Sequence, residues 1–157
     1  MVCSSAAGLY QAGDLWKMTN ALGHVTLFNK YDNNGHVLSI TMPNATPVAL
    51  TYNTRGWLAT SDIGGITTYD YYDTGLIKKI TLPAVVDGRE YTYEYDTAHR
   101  LTSITSKTGE KVTFTPDVAG NVTRVVLDKY GVVSNEFDQR FNALGQVYET
   151  IQKIQVD

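Results

Sequence analysis

A seven-residue motif recurs along most of this 157-residue chain. The motif reads aromatic residue, Asp or Asn, two free residues, Gly, one free residue, then Val, Leu or Ile, as in residues 31–37, YDNNGHV. Copies start at Tyr31, Tyr52, Tyr71, Tyr95 and Phe141, with divergent copies at Thr19 and Pro116. Successive starts lie 12, 21, 19, 24, 21 and 25 residues apart. A period near twenty indicates stacked supersecondary units, and it is too short for a pair of helices.

Each copy of the motif has the residues of a β-hairpin tip. Asp or Asn at the first position and Gly at the fourth are typical of a type I turn, and a left-handed Gly then gives a hairpin loop with a bulge. The aromatic residue should then pair across the two strands with the aliphatic residue six positions later, adding about 0.2–1 kcal/mol per pair. The repeat residues are Tyr31, Asp32, Gly35, Val37, Tyr52, Asn53, Gly56, Leu58, Tyr71, Gly75, Ile77, Tyr95, Asp96, Leu101, Gly120, Val122, Phe141, Asn142, Gly145 and Val147.

The segments that enter the turns alternate between apolar and polar residues. Residues 89–96, REYTYEYD, place three tyrosines on one face of a strand and Glu90, Thr92 and Glu94 on the other. A period of two indicates a half-buried strand, so we expect the polar face to meet water.

Three features depart from a regular repeat. His99 holds the glycine position of its copy, which predicts a positive φ on a non-glycine residue. Pro116 lacks an N–H, so it belongs at an edge or a bulge. Aliphatic residues three positions after the aliphatic position should face the opposite side of a regular strand, so either a bulge turns them or the second face is also partly covered; they are Ile40, Ile80, Ile104 and Val125.

These patterns predict an all-β fold, an antiparallel meander of roughly twelve strands joined by hairpins. Because a single open sheet of this size tends to curl and exposed edges invite association, we expect a curled sheet or partial barrel, or pairing with another copy. We assign residues 1–13 to an N-terminal extension and residues 14–157 to a domain of about seven repeats.

Composition excludes several classes of function. The net charge is −3 without a basic cluster, which argues against nucleic acid as a partner. No apolar run is long enough for a membrane helix, and residues 1–10 lack the features of a signal peptide. Cys3 is the only cysteine, so an intrachain disulfide cannot form.

The sequence does not predict a catalytic or metal site. His24, His36 and His99 fall at hairpin tips, where we interpret them as polar turn residues, and the turns likewise explain Asp32, Asp73 and Asp96 without calcium. Glu90 and Glu94 share a strand face, but their spacing suggests a solvated row. No phosphate loop, nucleophile elbow or zinc-protease motif occurs, so we predict neither enzyme activity nor a cofactor.

The tyrosine-rich face leaves one binding hypothesis open. Exposed aromatic rings stack well on flat apolar surfaces, and Tyr69, Tyr91 and Tyr93 are the candidates for contacting a sugar or a receptor. The simpler interpretation is packing of the rings within the fold, and solvent exposure of the three tyrosines distinguishes the two.

The strings YDNNGHVLSIT, YNTRGWLATS, YEYDTAHRLTSIT and FNALGQVYET resemble the RHS or YD repeat family, from about residue 14 to the C-terminus. The family includes bacterial Rhs proteins, the C component of insecticidal toxin complexes and the animal teneurins. The resemblance implies a β-sheet that spirals into a hollow shell and serves as a container or scaffold, often around a toxin or effector. Family shells use many more repeats, so the chain resembles a segment of a longer array.

The resemblance implies a parent protein that is secreted, at the cell surface or associated with an effector. Its partners would be other repeats of the shell, a second copy, or an enclosed polypeptide or glycan. The bacterial shells carry an Asp-Pro and Gly-Leu marker of a self-cleaving module, and this marker is absent from the sequence. We therefore do not carry self-cleavage or toxin activity over to this chain.

Overall fold

The computed structural model describes residues 11–84 and 89–154, which form thirteen β-strands and no α-helix. The strands are β1 (Lys17–Thr19), β2 (Val25–Tyr31), β3 (Val37–Thr41), β4 (Pro47–Tyr52), β5 (Leu58–Asp62), β6 (Ile66–Tyr71), β7 (Ile77–Thr81), β8 (Glu90–Tyr95), β9 (Leu101–Ser106), β10 (Lys111–Pro116), β11 (Val122–Lys129), β12 (Val132–Phe141) and β13 (Val147–Ile154). They lie in one sheet in sequence order, with β1 and β13 at its two ends.

The all-β antiparallel meander is therefore confirmed, and the described strands β1 and β13 are not paired, so they do not close the sheet into a barrel. The strand number differs slightly from the prediction of roughly twelve. The six copies from Tyr31 onward account for the twelve strands β2 to β13, and the copy at Thr19, which starts only 12 residues before the next, adds the short strand β1 by joining it to β2.

Contacts divide the chain into two compact units. Of the described residues, 11–69 and 82–84 make the first unit, and 70–81 with 89–154 make the second. The first unit contains β1 to β5 and most of β6, and the second contains β7 to β13.

The predicted pairing across the hairpins is confirmed wherever the structure describes it. Tyr31 pairs with Val37, Tyr52 with Leu58, and Tyr95 with Leu101. The pairing of Tyr71 with Ile77 stays a prediction. The three other copies follow the same rule through Thr19–Val25, Pro116–Val122 and Phe141–Val147.

A bulge after the turn explains the misplaced aliphatic residues. Tyr95 pairs with Leu101 and Tyr93 pairs with Ile104, so one extra residue stands between the two partners on β9. Since Tyr93 and Tyr95 are two residues apart on a regular strand, Leu101 and Ile104 share the tyrosine face. The register also shifts between Thr115 and Pro116, which places this proline at a bulge, as predicted.

Few side chains of the described residues are buried. Among the described residues, Val48 is the buried apolar residue, at 6% exposure, and Ser103 is the buried polar one, at 2%. Tyr31, Tyr52 and Tyr95 are half-buried. The expectation of a water-exposed polar face was too simple, because Ser103 pairs with Glu94 on that face and its hydroxyl donates to Glu94 Oε2 at 2.6 Å.

Turns without the motif connect consecutive strands at the strand ends opposite the motif turns from Tyr31 onward. In the first unit, residues 42–46 close the β3–β4 hairpin with Ala45 at a φ of 63°. In the second unit, Tyr130 and Gly131 have φ values of 56° and 84°, as expected for the two-residue turn that joins β11 to β12.

Candidate functional site

The recurring structural site in this chain is the motif turn. In the turn at residues 31–37, the Gly35 N–H donates to the Asp32 carbonyl at 3.2 Å, and the Asp32 N–H donates to the His36 carbonyl at 2.9 Å. Asp32 Oδ1 accepts from the N–H groups of Asn34 and His36 at 2.9 and 2.8 Å. The same double acceptance occurs at Asn20, Asn53, Asp96, Asp117 and Asn142.

A hydrogen bond from a second side chain stabilises most of these turns. The residue after the glycine position reaches back to the Asp or Asn: His36 Nδ1 lies 2.8 Å from Asp32 Oδ2, and Arg100 Nε donates to Asp96 Oδ2 at 2.7 Å. Equivalent contacts join Asn121 to Asp117, Gln146 to Asn142 and His24 to Asn20. The sequence interpretation treated this position as free, although its polar residues in five of seven copies were a usable signal.

The glycine position requires a left-handed backbone. Its φ is positive in every copy, for example 84° at Gly35, and His99 adopts 62°, as predicted. The copy that starts at Tyr71 departs from the motif, because Tyr72 occupies the place of Asp or Asn and Asp73 comes one residue later. Tyr72 still makes the backbone bonds of the turn, with Gly75 N–H and with the Leu76 carbonyl.

Side chains couple neighbouring turns within the first unit. The His36 ring stacks on Tyr52 of the next copy, with ring centroids 4.6 Å apart and an interplanar angle of 22°. The Tyr52 hydroxyl donates to the Val37 carbonyl at 3.1 Å, and a Cβ atom at Gly56 would lie 3.1 Å from His36 Nε2. The turn at Asp32 and the turn at Asn53 therefore hold each other in place.

The second unit repeats this coupling with other residues. The Tyr72 hydroxyl donates to the Tyr93 carbonyl at 3.0 Å, and the Tyr72 ring meets Tyr95 edge to face at 6.1 Å. Arg100 donates to the Asp117 carbonyl of the following turn. Side chains therefore join neighbouring repeats in both units.

Comparison with known proteins agrees with this geometry. A family model described as the teneurin YD-shell matches residues 16–155. The chain belongs to this family. The match confirms the resemblance to YD repeats, and it extends from before β1 to beyond the end of β13. The YD-shell family is a structural one, and the match indicates no catalytic family. Among curated protein sequences, none matches the chain.

Solved structures with the same fold come from toxin assemblies. A structure of the Photorhabdus luminescens Tc holotoxin pore with a mutation in TccC3 aligns with a TM-score of 0.68 and 17% identity, over 88% of this chain and 8% of that one. A crystal structure of TcdB2-TccC3-Cdc42 aligns with a TM-score of 0.65 and 20% identity, over 78% of this chain and 7% of that one. This YD-shell chain therefore spans less than a tenth of the length of these neighbours.

The tyrosines considered for ligand binding are divided between the two units. Tyr69 lies in the first unit, half-buried, with its hydroxyl 3.2 Å from Ser61 Oγ. Tyr91 and Tyr93 are half-buried in the second unit, and Tyr91 borders a groove of about 290 Å³. Ile104, Val112 and Leu127 also line this groove. Buried tyrosines would have favoured packing within the fold, and exposed tyrosines would have favoured ligand binding. The half-buried tyrosines lie between these two cases.

The carboxylates of this YD-shell chain are positioned for structural bonds. Hydrogen bonding from Ser103, followed by the charge of Lys111, lowers the pKa of Glu94. Glu90 Oε2 lies 3.3 Å from Lys79 Nζ. In the part of the chain that the structure describes, His, Cys, Asp and Glu side chains do not form a group of three or more that could hold a metal ion. Nor do these residues include a helix with the length and hydrophobicity needed to cross a bilayer.

Acid should destabilise this YD-shell chain through its turn aspartates. The backbone N–H of Arg100 contributes most to lowering the pKa of Asp96, and side-chain bonding from His36 and Asn121 lowers the pKa of Asp32 and Asp117. A carboxyl group with a lowered folded-state pKa stabilises the fold above its unfolded pKa, about 3.9, and this stability is lost as the pH falls through the folded pKa. We expect the free energy of unfolding to decrease below about pH 5.

The substitution Asp96→Asn tests how much of this pH dependence comes from one turn. The amide oxygen still accepts the two backbone N–H groups, as Asn53 does naturally, but the variant cannot titrate and loses the ion pair with Arg100. Urea unfolding across the acid range should show a shallower loss of stability for the variant than for the parent. Identical slopes would contradict the assignment of this titration to the turn.

Proposed function

We propose that this chain is a non-catalytic segment of a shell wall that encloses or displays another polypeptide, such as a toxin or effector. One observation carries the proposal: the YD-shell match includes every strand of the sheet. Residues 14–157 are then the repeat domain, and they form part of a longer repeat array. The similarity to toxin assemblies supports a parent protein that is secreted, at the cell surface or delivered with an effector.

The sheet has structural features expected of a shell wall. Its strands form one sheet in sequence order, and few side chains of the described residues are buried. Stability comes from hairpin registers and from bonds between neighbouring turns, which repeat without requiring a central core. One face of the strands carries aromatic and aliphatic side chains, and the other carries charged and hydroxyl groups.

Photo-crosslinking tests the wall proposal directly. A photoreactive phenylalanine analogue replaces Tyr93 on the aromatic face or Thr92 on the polar face, in the protein as its own cells produce it. We expect position 93 to crosslink to a polypeptide segment that Thr92 does not reach, because neighbouring residues of a strand face opposite sides. Equal crosslinking from both positions, or crosslinking from neither, would count against an enclosing wall.

Carbohydrate or receptor binding is the second candidate, and the groove beside Tyr91 favours it. The groove combines an aromatic ring with apolar residues, a composition suited to stacking on a sugar. The wall proposal predicts no saturable binding on a glycan array. Saturable binding that Tyr91→Ala abolishes, while the far-ultraviolet circular dichroism stays unchanged, would make binding the function of this face.

A further inference from the structure

Three departures from the motif line one open cavity in the second unit. Across the motif copies, Tyr72 alone replaces the Asp or Asn, and His99 alone replaces the glycine. Leu76 is an aliphatic residue at the position after the glycine, which is polar in most copies. All three residues line a cavity of about 460 Å³, beside the turns that start at Tyr71 and Tyr95. Sites for small ligands commonly have volumes of about 300–1,000 Å³.

The corresponding space in the first unit is filled by a side chain. There, the His36 ring stacks on Tyr52 at 4.6 Å, and a Cβ atom at Gly56 would lie 3.1 Å from His36 Nε2. Leu76 is the counterpart of His36 in the second unit, and its side chain leaves the space beside Tyr95 open. Departures from a local sequence pattern are expected at functional sites. The cavity therefore follows from the same residues that break the repeat.

Two tyrosine rings form the apolar part of the cavity. The rings of Tyr72 and Tyr95 are nearly perpendicular, with an interplanar angle of 89° and centroids 6.1 Å apart. The Tyr72 hydroxyl donates to the Tyr93 carbonyl at 3.0 Å, and Lys78 Nζ lies 5.8 Å from the centroid of the Tyr72 ring. These contacts position Tyr72 before any ligand arrives. The two half-buried rings form a corner that suits a compact saturated ring.

Polar groups at the cavity remain available to a ligand. Within the part of the chain that the structure describes, the side chains of Thr74, His99 and Thr102 have no hydrogen-bond partner. Thr102 is the extra residue of the β9 bulge, and bulges often redirect a side chain beside a functional site. His99 is held at a φ of 62°, and such strained residues cluster at ligand sites. Hydroxyl and imidazole N–H groups can donate to carbonyl oxygens.

The charges around the cavity favour a neutral ligand. The Glu94 carboxylate at the cavity accepts from Ser103 Oγ at 2.6 Å and lies 3.4 Å from Lys111 Nζ, so its charge is already compensated. A cation would gain little from it, and the hydroxyl groups of a sugar would lack it as a free acceptor. None of the described residues that line the cavity is lysine or arginine, which disfavours an anion.

We propose that this cavity binds a proline-containing segment of an extended polypeptide. A proline ring packs into the corner between Tyr72 and Tyr95, and carbonyl groups of the segment accept hydrogen bonds from Thr74, His99 and Thr102. Proline has no N–H group, so the segment needs no acceptor from the cavity at that residue. Aromatic-lined grooves recognise such segments because the polyproline II conformation is already ordered before binding. The site goes beyond the wall function and does not depend on it.

Titration of fluorescently labelled decaproline with the 157-residue chain tests the site by anisotropy. We expect saturable binding of decaproline and none of a Gly-Ser peptide of the same length. Leu76→Trp should abolish binding, because it fills the cavity with the residue that Trp57 supplies at the same motif position. Gln146→Trp makes the equivalent change in another copy, away from the cavity, and should leave binding intact. Circular dichroism checks that both variants keep the sheet.

His99→Gly separates binding from folding. The variant restores the motif glycine and removes one hydrogen-bond donor, so we expect the affinity for decaproline to fall about 2- to 12-fold. Its thermal midpoint should stay the same or rise, because glycine is unstrained at positive φ. Tyr91→Ala, in the neighbouring groove, should not change the affinity.

Several results would overturn the proposal. They are decaproline that does not saturate, equal binding of the Gly-Ser peptide, binding that survives Leu76→Trp or is lost in Gln146→Trp, and an affinity that depends on Tyr91 but not on His99. Binding of a chito-oligosaccharide in place of decaproline would do the same. Failure of decaproline to bind would leave the crosslinking test of the wall unaffected, since that test does not use this cavity.

Discussion

Gly56→Val should destabilise the first unit by about 1–3 kcal/mol through backbone conformation alone, because a β-branched residue is strained at positive φ. The φ of Gly56 is 79°, and a Cβ atom there would meet His36 Nε2 at 3.1 Å and Cε1 at 3.2 Å. The His36 ring must therefore shift from its stack on Tyr52, which adds to the cost. Urea unfolding followed by circular dichroism measures the loss.

Gly35 is the matched control for this substitution. Its φ is 84°, but a Cβ atom there would have nothing within 4 Å, so Gly35→Val carries the conformational cost alone. Thr54→Ser, at a free position of the same turn as Gly56, should be nearly silent. We expect Gly56→Val to be the most destabilising of the three. If all three variants had equal stability, the turn assignment would be wrong.

Tyr52→Ala should destabilise the chain by about 2–3 kcal/mol, less than a fully buried aromatic residue would, because Tyr52 is half-buried. The substitution removes the stack with His36, the pairing with Leu58 and the hydrogen bond to the Val37 carbonyl. Burial followed by the charge of Asp32 raises the pKa of the Tyr52 phenol, in agreement with a ring held against the neighbouring turn. The midpoint of urea unfolding measures the loss.

Tyr52→Phe separates the ring from the hydroxyl. It keeps the stack and the cross-strand pair and removes one hydrogen bond, so we expect a loss of about 0.5–1.5 kcal/mol. A Tyr52→Ala variant no less stable than Tyr52→Phe would show that the ring does not couple the two turns.

Turn chemistry made the hairpins predictable from sequence. The length of the loop determines which residues pair across it, so Tyr31 with Val37 and Tyr95 with Leu101 followed from the motif alone. The position of His99 likewise predicted its positive φ. These are local constraints, and local constraints can be read from a short stretch of chain.

Features that depend on contacts between neighbouring repeats were harder to predict from the sequence. The position of Ile104 in the sequence was compatible with either a bulge or a partly covered second face. The strand register shows that a bulge is present. The motif leaves the position after the glycine free, so the bond from Arg100 to the Asp117 carbonyl of the next repeat could not be predicted from it. Ala45 closes a turn at positive φ without a glycine, so no motif marks that turn.

The candidate binding residues were the least predictable part. Alternation places Tyr91 and Tyr93 on one strand face, but period-two patterns do not tell whether a second layer covers that face. In the structure these tyrosines are half-buried, and Tyr91 borders a groove. What lies against the tyrosine face depends on contacts that the sequence of this chain does not encode locally.

The most direct test of the wall proposal is a cryo-electron microscopy map of the native protein, purified from the cells that produce it. The account predicts continuous polypeptide density against the face that carries Tyr91, Tyr93 and Tyr95, with the motif turns in the registers described above. A tyrosine face that meets only solvent, or one occupied by a sugar chain, would contradict the enclosing wall.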